Sequence, residues 1–363
     1  MKKFNSLNEL NDYVNSNPID INDIDIDSLT VKITSKMTTF GVMSTEKEYP
    51  CYIVFNDKSS YREYKEGKQI DADLHSINAI QINITLSEFK RLKPNVRFIE
   101  FIDINEKATL AEANNESYEP VKTNWGADIA NVQESWAKGY TGKGVKVAAV
   151  DVGFVSNPNF LNFKEHVIFA EARDKSHGTA CASVICSPPS SKYLTGIAHG
   201  CDMYALETNL LTTAIMQACQ WCIDNEMDII TMSIVWNSNF EWGPYDTSKL
   251  LWEEVVARGI IFVAGAGNRN VYPLTYPAFV DGVIAVSAIA HVRGKLTKVS
   301  WDNTTSEGGG LNQPWLDFIF AGTNVKVASI YNTGRTANGT SVSAPAIAGM
   351  FALLKEEFPN KTR

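Results

Sequence analysis

Hydrophobic and polar residues change rhythm near residue 125. Upstream, the first 49 positions are polar and rich in Asn and Asp, and the run Ile21-Asn22-Asp23-Ile24-Asp25-Ile26-Asp27 alternates apolar with polar side chains. Period-two alternation predicts an edge strand or extended segment. The run also resembles part of a calcium loop, but it lacks the central glycine and the distal glutamate that such a loop needs, so the strand is favoured over a metal site. From Pro50 the pattern tightens. Cys51 to Phe55 and Ile77 to Ile84 predict strands, Thr85-Leu86-Ser87-Glu88 spells a capping box opening a helix that Pro94 closes, and Arg97 to Ile104 predicts a further strand. With a charged, helix-compatible segment between the first two strands, the order is β-α-β-α-β, a small α+β unit. Residues 106–121, with Ala111-Glu112-Ala113-Asn114-Asn115-Glu116 at their centre, have the composition of a linker.

Beyond Trp125, apolar runs alternate with helix-spaced segments. Val145 to Val150, Asp202 to Leu206, Asp228 to Ile234, Ile260 to Ala264 and Val283 to Ala288 predict strands. Between them Leu211, Ile215, Ala218, Cys219 and Cys222 fall at helical spacing, and Leu250 to Arg258 predicts a helix stopped by Gly259. Such alternation predicts an α/β architecture, a mostly parallel sheet with helices on both faces. At 363 residues the chain is long enough for two cores. The organisation expected is therefore a polar N-terminal extension (1–49), a small α+β domain (50–105), a linker (106–121) and a larger α/β domain (122–363).

Composition narrows the partners. The net charge of −8 gives no electrostatic footprint for nucleic acid, and no apolar run is long enough to span a bilayer. Met1-Lys2-Lys3-Phe4 leads into Asn, Glu and Asp rather than an apolar stretch, so no secretory leader is read and a cytoplasmic location is expected. The six cysteines (Cys51, Cys181, Cys186, Cys201, Cys219, Cys222) lack metal-site spacing; Cys219 and Cys222 have no second pair, and all are expected to be buried thiols.

Three short motifs carry chemistry. Val147-Ala148-Ala149-Val150-Asp151-Val152-Gly153 is an apolar strand ending in a carboxylate, by itself an ordinary turn former. Ser176-His177-Gly178-Thr179-Ala180 leads into the small-residue stretch Cys181-Ala182-Ser183-Val184, which fits a buried helix; His75, His166, His199 and His291 compete with His177 for any catalytic role. In Asn338-Gly339-Thr340-Ser341-Val342-Ser343-Ala344-Pro345 the glycine permits close backbone approach and a helix opens at the serine. A serine hydroxyl is a poor nucleophile near neutral pH, so it needs an imidazole to take its proton and a carboxylate to orient that imidazole. Asp151, His177 and Ser341 are the required types. A helix N-terminus at Ser341 directs backbone N–H groups toward a developing oxyanion, and Asn268, at the end of Ala264-Gly265-Ala266-Gly267-Asn268, offers a second donor.

In the order Asp, His, Asn, Ser, these motifs closely resemble the subtilisin family, over the span from Trp125-Gly126 to Lys355. Gly139-Tyr140-Thr141-Gly142-Lys143-Gly144, the strand Asp228-Ile229-Ile230-Thr231-Met232-Ser233 and Tyr276-Pro277-Ala278 add to it. The resemblance implies a serine endopeptidase: His177 as general base and acid, Asp151 orienting it, Ser341 forming the acyl-enzyme, and Asn268 with the Ser341 N–H binding the oxyanion, with no cofactor. It implies a substrate cleft bordered by Ser233, Ile234, Val235, Trp236, Gly265 and Gly267. The upstream unit resembles the family's inhibitory prodomain, a small ferredoxin-like α+β fold, through Tyr52-Ile53-Val54 and Phe98-Ile99-Glu100-Phe101-Ile102-Asp103. That implies a zymogen whose prodomain acts in cis and whose linker is cut between residues 108 and 121, with Tyr118 on the acyl side of the bond and Glu119 after it.

Several positions depart from the family. Small glycines are usual where this chain has Ile234-Val235-Trp236, so the indole either narrows the first specificity pocket or folds outward. Tyr204 to Leu211 runs almost directly from strand into helix, suggesting loss of the edge that pairs with extended substrate, and hence a protease for one or a few protein or peptide substrates. Ser187-Pro188-Pro189-Ser190-Ser191-Lys192-Tyr193-Leu194 replaces a calcium-binding stretch with few hard-oxygen ligands, so no metal is expected there. The sequence stops 22 residues after Ser341, where relatives continue, which implies either a shortened form or a differently closed sheet. A regulatory pseudoprotease with a blocked cleft is the competing reading.

Overall fold

A computed structural model of the protein describes residues 31–33, 48–85, 88, 96–101, 108–110, 125–157, 161, 163–191, 194–236, 247–268, 275–299, 316–331 and 333–361. The chain divides into two compact units, residues 1–104 and 105–363.

The N-terminal unit contains β1 (Val31–Ile33), β2 (Glu48–Phe55), α1 (Lys58–Lys65), β3 (Ala72–Leu74), β4 (Ala79–Thr85) and β5 (Val96–Phe101). Its sheet has the order β1-β5-β2-β4-β3, antiparallel except for the β1–β5 pair. Alternate residues Cys51, Ile53 and Phe55 of β2 and Ile80, Ile82 and Ile84 of β4 bury one face of the sheet together with Tyr61 of α1. Asp57 caps α1, its carboxylate accepting the N–H groups of Ser59 and Ser60 at 2.9 Å. The capping box expected at residue 85 is formed: Thr85 N–H donates to the Glu88 carboxylate at 3.0 Å, and Glu88 N–H to Thr85 Oγ1 at 3.1 Å. The strand predicted from Ile77 begins two residues later, because His75–Ile77 form a 3-10 turn ended by left-handed Asn78. The short β3 is too brief to show a period. The alternating run at residues 21–27 lies outside the described residues.

The C-terminal unit contains, in order, β6 (Thr109–Leu110), α2 (Trp125–Ile129), α3 (Val132–Ala137), β7 (Lys146–Val152), β8 (Glu165–Ile168), α4 (Ser176–Cys186), β9 (Asp202–Thr208), α5 (Thr212–Asp224), β10 (Ile229–Met232), β11 (Ile234–Val235), α6 (Thr247–Ala257), β12 (Ile261–Gly265), β13 (Ile284–Val292), β14 (Lys295–Lys298), β15 (Phe318–Ala321), β16 (Val325–Ala328), β17 (Gly334–Ala337) and α7 (Thr340–Glu357). Its main sheet runs β14-β13-β12-β10-β7-β9-β8, with β15 also beside β13, and only the β13–β14 pair is antiparallel. That is the mostly parallel α/β sheet expected from the alternation of elements.

Helices α4 and α7 pack on each other and on the central strands, and α5 and α6 form a second pair against the sheet. Cover on both faces accounts for the unbroken apolar run Val147 to Val150, every side chain of which is buried. Two boundaries differ from expectation. The strand predicted over 228–234 is interrupted at Ser233, and β13 runs on to Val292, where Arg293 and Gly294, both at positive φ, turn the chain back into β14. Because β7, β10 and β12 are parallel, their carboxyl ends share one edge of the sheet, where α/β folds place their sites.

Candidate active site

Asp151 lies at the end of β7 and is 1% exposed. Its Oδ1 accepts the N–H of Val152 at 2.7 Å and sits 2.7 Å from Nδ1 of His177, in the first turn of α4. Just ahead of that helix Asp174 accepts Ser176 N–H at 2.8 Å. Gly178 lets the helix press onto the strand end: a Cβ there would stand 2.3 Å from the Val152 carbonyl. His177 is 2% exposed. Burial pulls its pKa down, but the adjacent Asp151 carboxylate and the Cys181 thiol together outweigh burial and hold it well above the usual histidine range. Burial likewise pushes the Cys181 thiol up.

Ser341, the second residue of α7, is 3% exposed. Its carbonyl has an unusual set of partners. Pro345, four residues on, has no N–H to complete the helical bond to it. The carbonyl instead accepts Ser233 Oγ at 2.9 Å and Cys181 Sγ at 3.2 Å, so a proline inside the helix frees the serine's own backbone to be tied to the β10–β11 junction and to α4. Cys181 Sγ is also 3.8 Å from His177 Nδ1 and 3.9 Å from Nε2, which puts the imidazole and the start of α7 on either side of one thiol. Asp151, His177 and Cys181 bring three potential metal ligands within 4.8 Å, the one such group among the described residues. Each is already engaged by protein, Asp151 by Val152 and His177 and Cys181 by the Ser341 carbonyl, an arrangement suited to holding a proton rather than an ion.

Asn268 follows β12, and its Oδ1 accepts Thr340 N–H at 3.0 Å, capping α7 from another segment. Gly267 N–H donates to Thr340 Oγ1 at 3.2 Å, and a Cβ on Gly265 would meet that same oxygen at 3.0 Å. Gly265 therefore lets α7 approach the end of β12, and Gly267 ties the following turn to Thr340.

Ser233, Ile234, Val235 and Trp236 follow β10, and Ile234 and Val235 pair antiparallel with Leu110 and Thr109. Trp236 folds inward. It is 3% exposed, its ring packs on Trp252 with centroids 5.2 Å apart, and its backbone N–H donates to the Tyr276 carbonyl at 3.1 Å. The segment thought to lack a substrate edge retains one acceptor, since the Leu210 carbonyl takes the Ala108 N–H at 3.0 Å. Tyr118 and Glu119, expected at the cut, lie outside the described residues.

Cys181, Pro345 and Glu207 were not singled out by sequence. The spacing of Cys181, four residues after His177 on a helix, was the available signal. Glu207, on β9 beside Asp151 in register, is fully buried; it accepts Ala172 N–H at 3.0 Å, lies 2.9 Å from His166 Nε2 and 3.8 Å from Lys175 Nζ, and so ties down the loop that enters α4. All six cysteines are free thiols, five of them buried and Cys201 partly so. Among the described residues no helix is long and apolar enough to cross a membrane.

Comparisons with known proteins identify relatives of this chain. Residues 142–363 match the family model described as Peptidase_S8, the subtilase family. The thermostable alkaline protease of Halalkalibacterium halodurans is 27% identical over 340 residues, covering 90% of this chain and 86% of that protein. Subtilisin E of Bacillus subtilis is 26% identical over 347 residues, covering 89% and 84%. The crystal structure of fervidolysin from Fervidobacterium pennivorans, described as a keratinolytic enzyme related to subtilisin, superimposes with a TM-score of 0.64 at 18% identity. That likeness covers 92% of this chain, which spans 57% of the fervidolysin chain, and shows a shared fold.

Proposed function

The chain belongs to the subtilase family of serine peptidases, and we propose that Ser341 is its nucleophile, His177 its general base and acid, Asp151 the orienting carboxylate and Asn268 an oxyanion donor. The observation that carries this reading is the 2.7 Å pairing of Asp151 with His177 in a buried site next to the start of α7. His177 Nε2 removes the Ser341 Oγ proton as Oγ bonds to the scissile carbonyl carbon. The carbonyl oxygen, now an oxyanion, is held by the Asn268 amide and the Ser341 backbone N–H. His177 then passes its proton to the departing amine, the C–N bond breaks, and an acyl-enzyme remains. Water repeats the sequence: His177 takes its proton, its oxygen bonds to the acyl carbon, and the proton returns to Ser341 as the carboxylic acid leaves. Asp151 stabilises the imidazolium formed in each half. No cofactor takes part in these steps.

The finer reading is of a zymogen. Residues 50–105 are its prodomain in cis, its own linker is the first substrate, and one or a few protein or peptide substrates follow. Support comes from residues 109–110, which already pair with the β11 edge. Six free thiols favour a reducing compartment, in keeping with a cytoplasmic enzyme. The same occupied edge also suits a binding module with a blocked cleft. Incubating purified full-length protein beside Ser341→Ala and following both chain length and casein cleavage separates the two. Serine-dependent cleavage is expected; a wild type indistinguishable from Ser341→Ala on both readouts leaves the blocked module.

A further inference from the structure

The pairing of residues 109–110 with β11 is specific enough to count along. Thr109 stands opposite Val235 and Leu110 opposite Ile234. In an antiparallel pair one chain advances as the other retreats, so Ala108 comes opposite Trp236, and an extended substrate bound in the same register would bring the residue after the one opposite Ile234 to face Ser233. Ser233 is the residue whose Oγ touches the Ser341 carbonyl at 2.9 Å, so the count ends beside the nucleophile. Two bonds hold the alignment. Ala108 N–H donates to the Leu210 carbonyl at 3.0 Å, and Thr109 Oγ1 donates to the Val235 carbonyl at 3.2 Å. The segment therefore lies between two backbone edges, as an extended substrate would.

Residues directly opposite one another on antiparallel strands project to the same face. Ala108 and Trp236 thus share one, and both are buried, at 2% and 3% exposure. The indole is held there from several directions. Its Nε1 donates to Thr212 Oγ1 at 3.4 Å, its ring lies on Trp252, and Trp252 in turn stacks on Tyr276 with centroids 6.2 Å apart. By this register a large tryptophan stands opposite a methyl group. A larger side chain in place of Ala108 would have to displace an anchored ring.

Resting on the proteolytic reading above, we infer that Trp236 makes this protein select alanine or glycine at the fourth residue before the bond it cuts, and that in its own chain this bond is Ala111–Glu112. Ala108 is then the fourth residue and Ala111 the acyl donor. Water adds hydroxyl to the Ala111 carbonyl and hydrogen to the Glu112 amine, leaving Glu112 as the new N-terminus. The cut falls upstream of the Tyr118–Glu119 bond suggested by the sequence.

The test uses the full-length protein. Products of self-cleavage are sequenced by mass spectrometry, and kcat/KM is measured on two peptides, Ala-Thr-Leu-Ala-Glu-Ala-Asn and the same peptide beginning with Phe. Wild type is expected to yield an N-terminus at Glu112 and to prefer the alanine peptide by about tenfold or more. Ala108→Phe should slow self-cleavage, and Trp236→Gly should erase the preference while leaving the bond unchanged. A different new N-terminus overturns the register. Equal turnover of the two peptides by wild type, or no turnover of the alanine peptide, overturns the role of Trp236, and neither result depends on a variant that fails to fold. In these cases continued casein cleavage that is lost in Ser341→Ala leaves the proteolytic reading standing, whereas absence of any Ser341-dependent cleavage removes that reading itself.

Discussion

The two sides of the site are built from opposite materials. On the catalytic side, Gly178 and Gly265 let backbones approach to distances a Cβ would forbid or strain, and the helices α4 and α7 that pack there bury small side chains such as Ala180, Ala182, Ala344 and Ala348. On the substrate side, Trp236, Trp252 and Tyr276 fill the space beside β11 with rings. Close backbone approach is what fixes hydrogen-bonding groups at 2.7 Å, and bulk is what limits the occupants of a cleft. Reactivity and selectivity thus come from different physical sources, and each can be disturbed with the other left in place.

The strongest way to break the contrast is at Asp151. Asp151→Asn should lower kcat/KM by about 10⁴-fold, the size of effect seen in serine proteases when the imidazole loses its orienting anion, with the alanine preference of the peptide assay unchanged. A shift in peptide preference would show that the two sides are not separable. Asn268→Ala should cost about 10²- to 10³-fold in kcat with little change in KM, as in related enzymes deprived of one oxyanion donor. Since Asn268 also caps α7, thermal melting of this variant distinguishes lost oxyanion binding from a frayed helix.

The pH profile sharpens the electrostatic half. Burial lowers the pKa of His177, and Asp151 with Cys181 raises it by more, so the neutral base forms only above the ordinary histidine range. Activity should therefore rise about tenfold per pH unit toward a midpoint above ~6.5, and Asp151→Asn should move that midpoint down. The sign for stability is opposite. A raised folded-state pKa stabilises below the unfolded value and that contribution is lost as pH rises through the folded value, which denaturant titration across this window would detect. Gly178→Ala, which sets a methyl against the Val152 carbonyl, should destabilise by about 1–3 kcal/mol and reduce activity with it. The smallest effect expected is none. A chelator should leave Tm and activity unchanged, because Ser187-Pro188-Pro189 offers few oxygen ligands, and a fall in Tm would reveal a metal site.

Much of this was legible in the chain. Asp151, His177, Asn268 and Ser341 each sit in a short string whose neighbours are small, and small neighbours betray a place where backbones must come close. The central strands were readable because both their faces are covered, which leaves unbroken apolar runs. Other features had no local signature. The break at Ser233 looked like continuous strand, since Ile234 and Val235 remain buried and apolar after the sheet has ended. Pro345 looked like an ordinary helix residue, and its effect appears only when Ser233 and Cys181 reach the carbonyl it frees.

Local order along the chain was sufficient to establish the chemical types, their sequence and the class of fold, because helix and strand periodicities and turn residues act over a few positions. Register and volume are different quantities. The pairing of Thr109 with Val235 joins positions 126 residues apart, and whether an indole turns inward depends on Trp252 and Tyr276, which no neighbouring residue specifies. Only packing in three dimensions could settle which residue faces Trp236, and with it how many residues separate that contact from the nucleophile.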